Sequence, residues 1–245
     1  MTIPRYFLLF CFVVLGRVGF SQALPDTSFV ALASANAVKS YHEFIRGQSG
    51  LYTGSEYRYE DRTNEDHPFY RVLDWIPGTI NYEGEMYEGI SFLYDLTADI
   101  LVTEHFYNGD EIVLVKSKIK SFTLDRDVFV HMNGKDMPAG LPEPGFYQVQ
   151  YDGKSRVLAR HEKAMVDKIE NTRVERYFDY KVRYYLLKDG LYRKINGRKD
   201  LLKLFDDQRP ALRAYASKEK FRISKSNPSS YARIAAYYDS LTPQK

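Results

Sequence analysis

Five dipeptides in which Asn or Asp precedes Gly divide the chain between residues 108 and 197, and they constrain the possible fold most strongly. Asn and Asp tolerate positive φ and Gly has no Cβ penalty, so such pairs are typical of tight turns between antiparallel strands. The pattern therefore predicts a series of β-hairpins. The five turns are Asn108-Gly109, Asn133-Gly134, Asp152-Gly153, Asp189-Gly190 and Asn196-Gly197.

Runs rich in Val, Ile, Tyr and Phe lie between residue 78 and the last of these turns, and their composition is typical of β-strands. Polarity alternates strictly over residues 147–151, which predicts a sheet with one face on a core and the other in water. Residues 137–145 hold three prolines and two glycines and are predicted to form a loop. The predicted strands are 90–94, 100–106, 111–115, 119–124, 128–132, 146–151, 157–161 and 182–187.

Helical spacing of apolar residues occurs near both ends of the chain. It predicts an N-terminal helix within residues 29–45 and a short helical segment at 200–205. Another helix is predicted to begin near Asp207, with Pro210 in its first turn. A final helix should follow Asn227-Pro228, because Tyr231, Ile234, Ala235, Tyr238 and Leu241 then form one stripe.

These patterns together predict an α+β fold that is rich in β-structure. We expect mostly antiparallel sheets built from hairpins, with an N-terminal helix and C-terminal helices. The predicted organisation is a signal peptide at 1–23, a β-rich domain with the N-terminal helix at 24–197, and a C-terminal helical segment at 198–245 that packs on the sheet.

The first 23 residues have the pattern of a secretory signal peptide. Arg5 precedes an apolar run at 6–16, which is too short to cross a bilayer because a spanning helix needs about 20 residues. Small residues at Ser21 and Ala23 indicate cleavage after Ala23. The single cysteine, Cys11, lies inside this segment, so we expect a secreted mature chain without disulfides.

The charge of the chain favours neither nucleic acid nor an acidic membrane as partner. The formal net charge is +3, and loss of Arg5 and Arg17 with the signal peptide would leave +1. No apolar stretch after the signal peptide approaches membrane-spanning length. One local basic run is interpreted as a solvated turn and helix face. It consists of Arg193, Lys194, Arg198, Lys199 and Lys203.

Residue types that carry common active sites occur without their usual spacing. The five histidines show neither the i, i+4 spacing of a helical zinc site nor an HExxH motif. Carboxylates are abundant, but nothing in the sequence marks one pair as the buried acids of a glycosidase. Phosphate-binding loops, dinucleotide motifs and EF-hand loops are absent from the sequence. We therefore predict no catalytic residue, no metal ligand and no cofactor.

Tyrosine is unusually frequent, with 21 Tyr beside 15 Phe. Tyrosine favours strands and wet interfaces, because its ring packs while its hydroxyl stays hydrated. Four aromatic residues are candidates for a ligand-binding patch, although core packing is the alternative interpretation for the tryptophan. They are Tyr70, Trp75, Tyr82 and Tyr87.

Turns and strand aromatics form a recognisable order along most of the mature chain. The strings that carry it are residues 51–57, 67–70, 82–84, 93–96, 145–147, 151–154 and 184–190. Their order resembles a family of secreted proteins of unknown function from Bacteroidetes-type bacteria. The resemblance implies a shared fold and a location in the periplasm, at the outer membrane or outside a Gram-negative cell. It implies no activity.

Three functions remain open from the sequence. The leading hypothesis is a non-enzymatic protein that binds an envelope protein or a glycan through its sheet or its aromatic loops. The second is a hydrolase of glycan or peptidoglycan, which would need two carboxylates roughly 5–10 Å apart. The third is a structural or assembly factor whose C-terminal helices dock on an outer-membrane partner.

Overall fold

Eleven strands form one antiparallel sheet in the computed structural model, which describes residues 32–34, 50–59, 66–134, 137–170 and 173–241. Their order across the sheet is β1-β5-β4-β3-β2-β6-β7-β8-β9-β10-β11, so most strands pair with the next strand along the chain. The predicted β-rich α+β class is confirmed. The strands are β1 Ser55–Glu56, β2 Ile76–Tyr82, β3 Glu85–Asp95, β4 Ile100–Glu104, β5 Glu111–Val113, β6 Ile119–Leu124, β7 Asp127–Met132, β8 Gly145–Tyr151, β9 Val157–Glu170, β10 Arg173–Lys188 and β11 Leu191–Ile195.

Two-residue turns with positive φ at both residues join β2 to β3 and β10 to β11. Glu83-Gly84 makes the first turn, with φ values of 53° and 91°, and Asp189-Gly190 makes the second, with 54° and 74°. This geometry matches the right-handed twist of the flanking strands. Asn196-Gly197 differs from the prediction, because it ends β11 and leads into a helix instead of another strand.

One core of the sheet, which we call the aromatic core, has seven aromatic side chains among its fifteen buried residues and lies along β2 to β8. Phe122 and Phe129 stack with their ring centroids 4.9 Å apart, and Tyr94 meets both rings edge-on. Offset and edge-to-face contacts are the favoured geometries for aromatic pairs, so the tyrosine-rich composition produces an ordered interior. The buried members are Leu51, Tyr70, Ile80, Tyr82, Ile90, Phe92, Tyr94, Leu96, Leu101, Leu114, Ile119, Phe122, Leu124, Phe129 and Phe146.

A second core is shared between the far end of the sheet and three C-terminal helices: α1 Arg198–Leu204, α2 Arg209–Lys218 and α3 Ser229–Leu241. Pro210 lies in the first turn of α2, as predicted. Tyr231, Ile234, Ala235 and Tyr238 of the predicted stripe are buried on α3. The helices thereby cover the strand residues Val157, Ala159, Tyr184, Leu186 and Ile195.

The chain divides into two compact units, Met1–Gln48 and Ser49–Lys245. In the first unit, residues 32–34 are helical and fall inside the predicted helix at 29–45. The rest of that helix, and the predicted signal peptide with its cleavage at Ala23, lie outside the described residues. Within the described parts of the chain, no helix is both long and apolar enough to cross a membrane.

Candidate interaction site

Strands β9 and β10 extend well past the rest of the sheet. Strand β8 pairs with β9 only at residues 157–159, and β11 pairs with β10 only at residues 184–188. From Glu162 and Lys181 onward, β9 and β10 pair in the sheet only with each other, to the end of the ladder at Glu170 and Arg173. We call residues 162–170 and 173–181 the arm, and residues 157–161 and 182–188 the base.

One face of the arm continues the buried face of the base. Side chains alternate along a strand, so Met165, Asp167 and Ile169 lie on the same face as Ala159 and His161. The cross-strand register places Phe178 opposite Met165 and Arg176 opposite Asp167 on this face. The side-chain alternation that buries residues at the base therefore continues into the arm, where it places apolar side chains along the same face.

Apolar side chains on this face of the arm are open to solvent. The exposed fractions are 59% for Met165, 76% for Ile169 and 49% for Tyr180. Tyr177, on the opposite face, is also exposed. Exposed apolar side chains are ordinary when single, but a row along one strand pair is typical of an interaction surface.

Tyr180 is held at the root of the arm by His161. Their rings stack with centroids 6.0 Å apart, and the Tyr180 hydroxyl lies 2.6 Å from His161 Nδ1. His161 Nε2 lies 2.7 Å from Oε1 of Gln148. Because an amide oxygen only accepts, Nε2 carries the proton of the neutral ring and Tyr180 donates to Nδ1.

The orientation of Gln148 is set by Asp127 on β7, which forms an ion pair with Arg71. Its Nε2 donates to Asp127 Oδ1 at 2.7 Å, which turns Oε1 toward His161. The other carboxylate oxygen of Asp127 accepts from the Tyr70 hydroxyl at 3.0 Å and pairs with Arg71 at 2.9 Å. One hydrogen-bonded chain thus runs from Arg71 through Asp127, Gln148 and His161 to Tyr180.

The protonation states in this chain favour positioning over catalysis. Burial, together with the positive charges of Arg71 and Arg160, lowers the pKa of His161 from 6.5 to about 4. Partial burial raises the pKa of Tyr180 to about 12. At neutral pH the imidazole is therefore uncharged and the phenol keeps its proton, so the pair orients the Tyr180 ring without generating a nucleophile.

A buried ion pair ties the base to the β3–β4 turn. Arg160 Nη1 donates to Asp99 Oδ2 and to the Phe146 carbonyl, both at 2.9 Å. The Tyr94 hydroxyl donates to the other oxygen of Asp99 at 2.6 Å. A Cβ on Gly145 would lie 2.1 Å from Arg160 Nη1, so the start of β8 has room only for glycine. These contacts make Asp99 a structural acid.

Another carboxylate pair, Glu143 and Glu162, lies on the opposite face of β9 from His161. Glu162 Oε1 accepts from Arg183 Nη1 at 2.9 Å, and Glu143 Oε1 lies 3.4 Å from the same nitrogen. Burial and a hydrogen bond with Glu143 raise the pKa of Glu162. Carboxyl groups in direct contact leave no room for the sugar or water that a glycosidase holds between its acids. This pair gives no support to the hydrolase alternative.

The four aromatic residues predicted as a binding patch are divided between two clusters. Tyr70 and Tyr82 are buried in the aromatic core, and Tyr87 packs partly buried against it. Trp75 packs instead, partly buried, on a separate cluster of Phe69, Leu93 and Val102. Tyr70 is the one member that belongs to the hydrogen-bonded chain leading to Tyr180.

Comparison of the chain with known proteins found no match. No protein-family model, no curated protein and no solved structure matches the chain. In the residues that the structure describes, no three or more His, Cys, Asp or Glu side chains form a group that would hold a metal ion.

Sequence reasoning missed the arm and the chain of hydrogen bonds below it. Residues 162–181 are rich in charges and contain no Asn-Gly or Asp-Gly pair, so nothing in them indicated a hairpin. Asp127, Gln148 and His161 come from three neighbouring strands, and only the register brings them together. The one available signal was the alternation of Met165, Asp167 and Ile169 in phase with the predicted strand at 157–161.

Proposed function

We propose that the mature protein is a non-enzymatic binding protein of the cell envelope or exterior, and that the arm is the surface that contacts its partner. The observation that carries this proposal is the row of exposed apolar side chains at Met165, Ile169 and Tyr180 on one face of the arm. A short strand pair gains no stability from exposing such residues, whereas burial against a partner removes them from water.

The backbone of the arm supports binding as well. Near its root, the Phe178 amide donates to Asp66 and the Lys163 amide donates to the Leu96 carbonyl. Farther out, the sheet pairing of the described residues gives the outer edges of β9 and β10 no neighbouring strand. Free edges of this kind accept an added strand from a partner, and alternating side chains then give the contact its specificity.

A protein fits this surface better than a glycan. The exposed apolar groups are the thioether of Met165, the aliphatic side chain of Ile169 and the half-exposed ring of Tyr180. An Arg176–Asp167 ion pair lies on the same face, with a nitrogen-to-oxygen distance of 3.0 Å. Sugar sites combine flat aromatic faces with convergent hydrogen-bonding groups in a cleft, whereas Tyr180 lies on one face of an extended strand pair. Of the two candidate partners, an envelope protein and a glycan, we therefore propose an envelope protein.

A pair of methionine variants tests this proposal. Met165 and Met86 are exposed to nearly the same extent, 59% and 57%, but Met86 lies on β3 away from the arm. Capture of envelope proteins by tagged mature protein should be lost in Met165→Ser combined with Ile169→Ser and retained in Met86→Ser. Equal capture by both variants would show that the arm is not the binding surface.

Enzyme activity would contradict the proposal from another direction. Purified mature protein should release no product from peptidoglycan or from polysaccharide substrates. If it did, and if Glu162→Gln abolished the release, the carboxylate pair would be catalytic and the binding proposal would be wrong.

A further inference from the structure

A cavity of about 360 Å³ lies between α1 and α2. Its size is within the range of small-molecule sites, which begins at about 300 Å³. Part of the basic run, which was predicted to be a solvated turn and helix face, lines this cavity together with two arginines of α2. The lining residues are Arg198, Lys199, Leu202, Lys203, Arg209 and Arg213.

Positive charges are concentrated here without matching acids. Arg209 pairs with Asp206 and donates from Nε to the Leu202 carbonyl at 3.2 Å. For the other four cations, no carboxylate of the described residues is within ion-pair distance. They are Arg198, Lys199, Lys203 and Arg213.

The spacing of these residues is unfavourable for isolated helices. Lys199 and Lys203 are separated by one helical turn on α1, and Arg209 and Arg213 by one turn on α2. Like charges at i and i+4 destabilise a helix. The arrangement therefore fits a site whose countercharge arrives with a ligand.

The geometry points to a binding site for a phosphate-bearing ligand in this cavity. Arginine forks match phosphate oxygens, and lysines add compact point charges beside them. The wall of the cavity itself is mainly apolar, so Leu202 and the aliphatic stems of the arginines and lysines line it while their charged ends can reach a phosphate at its mouth. Five positive charges, of which only Arg209 is ion-paired within the described residues, call for a ligand with several negative charges, such as a phosphate diester cluster or a pyrophosphate.

Two sources share this chemistry: the headgroup of an anionic lipid and a soluble phosphorylated molecule. The site goes beyond the proposed partner contact, because it lies on the C-terminal helices and the arm lies on β9 and β10. Loss of anion binding should therefore leave the capture of envelope proteins unchanged, which separates a failure of this inference from a failure of the arm proposal.

Two charge-matched variants test the site. Lys203→Ala with Arg213→Ala removes two cations from the cavity, whereas Arg193→Ala with Lys194→Ala removes two exposed cations from neighbouring β11. Titration calorimetry with pyrophosphate and flotation with phosphatidylcholine vesicles containing phosphatidylglycerol measure binding. Vesicles of phosphatidylcholine alone provide the baseline, and matching circular dichroism spectra establish that both variants fold.

The cavity variant should bind at least one probe about tenfold more weakly than the parent, and the β11 variant should bind within about twofold of it. Pyrophosphate binding alone would identify a soluble phosphorylated ligand, and vesicle binding that pyrophosphate displaces would identify a lipid headgroup. Failure of the parent to bind either probe, or equal losses in the two variants, would overturn the inference.

Discussion

The base and the arm are parts of the same two strands, with the same alternation, but they differ in what covers them. At the base, Val157, Ala159, Tyr184 and Leu186 are buried beneath the C-terminal helices. On the arm, side chains of the same face are exposed. The difference teaches that period-two alternation predicts which residues share a face, while only the neighbouring elements decide whether that face is core or surface.

Ion pairs show the same contrast. Arg160 and Asp99 at the base retain 7% and 12% of their side-chain exposure, whereas Arg176 and Asp167 on the arm retain 70% and 55%. A buried charge that loses its partner remains desolvated, whereas an exposed one is solvated by water. The base should therefore carry the stability of β9 and β10, and the arm should tolerate change.

The largest effect is expected when the buried ion pair is broken. Asp99→Asn should lower the free energy of unfolding by about 3–5 kcal/mol, because Arg160 and Lys116 lose their countercharge. Asn tolerates the positive φ of 55° at this position, so the change affects mainly the charge.

Asp167→Asn on the arm is the matched control and should cost no more than about 1 kcal/mol. Urea denaturation followed by circular dichroism measures both variants. Equal losses would show that the arm is as important to stability as the base.

Truncation of apolar side chains sharpens the comparison. Leu186→Ala should lower the free energy of unfolding by about 2–5 kcal/mol, because it leaves a cavity beneath the helices. Ile169→Ala should change it by about 0.5 kcal/mol or less, because the side chain is already in water. A large loss for Ile169→Ala would mean that another part of the chain covers the arm.

The junction between base and arm should make stability depend on pH. The pKa of His161 is about 4 in the folded protein and 6.5 for an unperturbed histidine, so the unfolded chain binds this proton more readily. Above pH 6.5 the histidine is neutral in both states and does not lower the free energy of unfolding. As the pH falls from 6.5 to 4, protonation of the unfolded chain lowers the free energy of unfolding by about 3 kcal/mol in total.

His161→Gln should flatten this part of the profile, measured as the free energy of unfolding between pH 7 and pH 4. The same substitution at His105, in the turn between β4 and β5, is the control. An unchanged slope in His161→Gln would show that the ring does not stay neutral when buried.

The smallest effect is expected for the hydroxyl that orients the root of the arm. Tyr180→Phe should cost about 1 kcal/mol, because His161 Nδ1 loses its donor. Tyr177→Phe, on the other face, should have no measurable effect. The same denaturation measurements decide this, and an equal cost at both positions would exclude a positioning role for the Tyr180 hydroxyl.

Local patterns predicted most of the helices and strands, but not how far β9 and β10 extend or which side chains the sheet brings together. The Asp189-Gly190 turn and the buried stripe of α3 follow from turn chemistry and periodicity alone. So does the loop predicted at 137–145, although its last residue, Gly145, begins β8. The arm was missed because its charged composition resembles a solvated segment. The link between Asp127, Gln148 and His161 depends on strand register, which a single sequence does not encode locally.

The basic run shows why the candidate cavity escaped the sequence analysis. Arg198, Lys199 and Lys203 were visible as a charge cluster, but their significance depends on α2 bringing Arg209 and Arg213 opposite them. Helical periodicity predicted each helix separately, and the packing of one on the other arises from the shared core.

Trp75 is the only tryptophan of the chain, and its place beside Phe69, Leu93 and Val102 makes it a built-in optical reporter. Its indole emission should shift to the red when that small cluster opens. Arm and cavity residues do not belong to the cluster, so ligand titrations at either surface should leave the signal steady. Fluorescence can thus record the unfolding of β3 to β5 while binding is followed separately in the same sample.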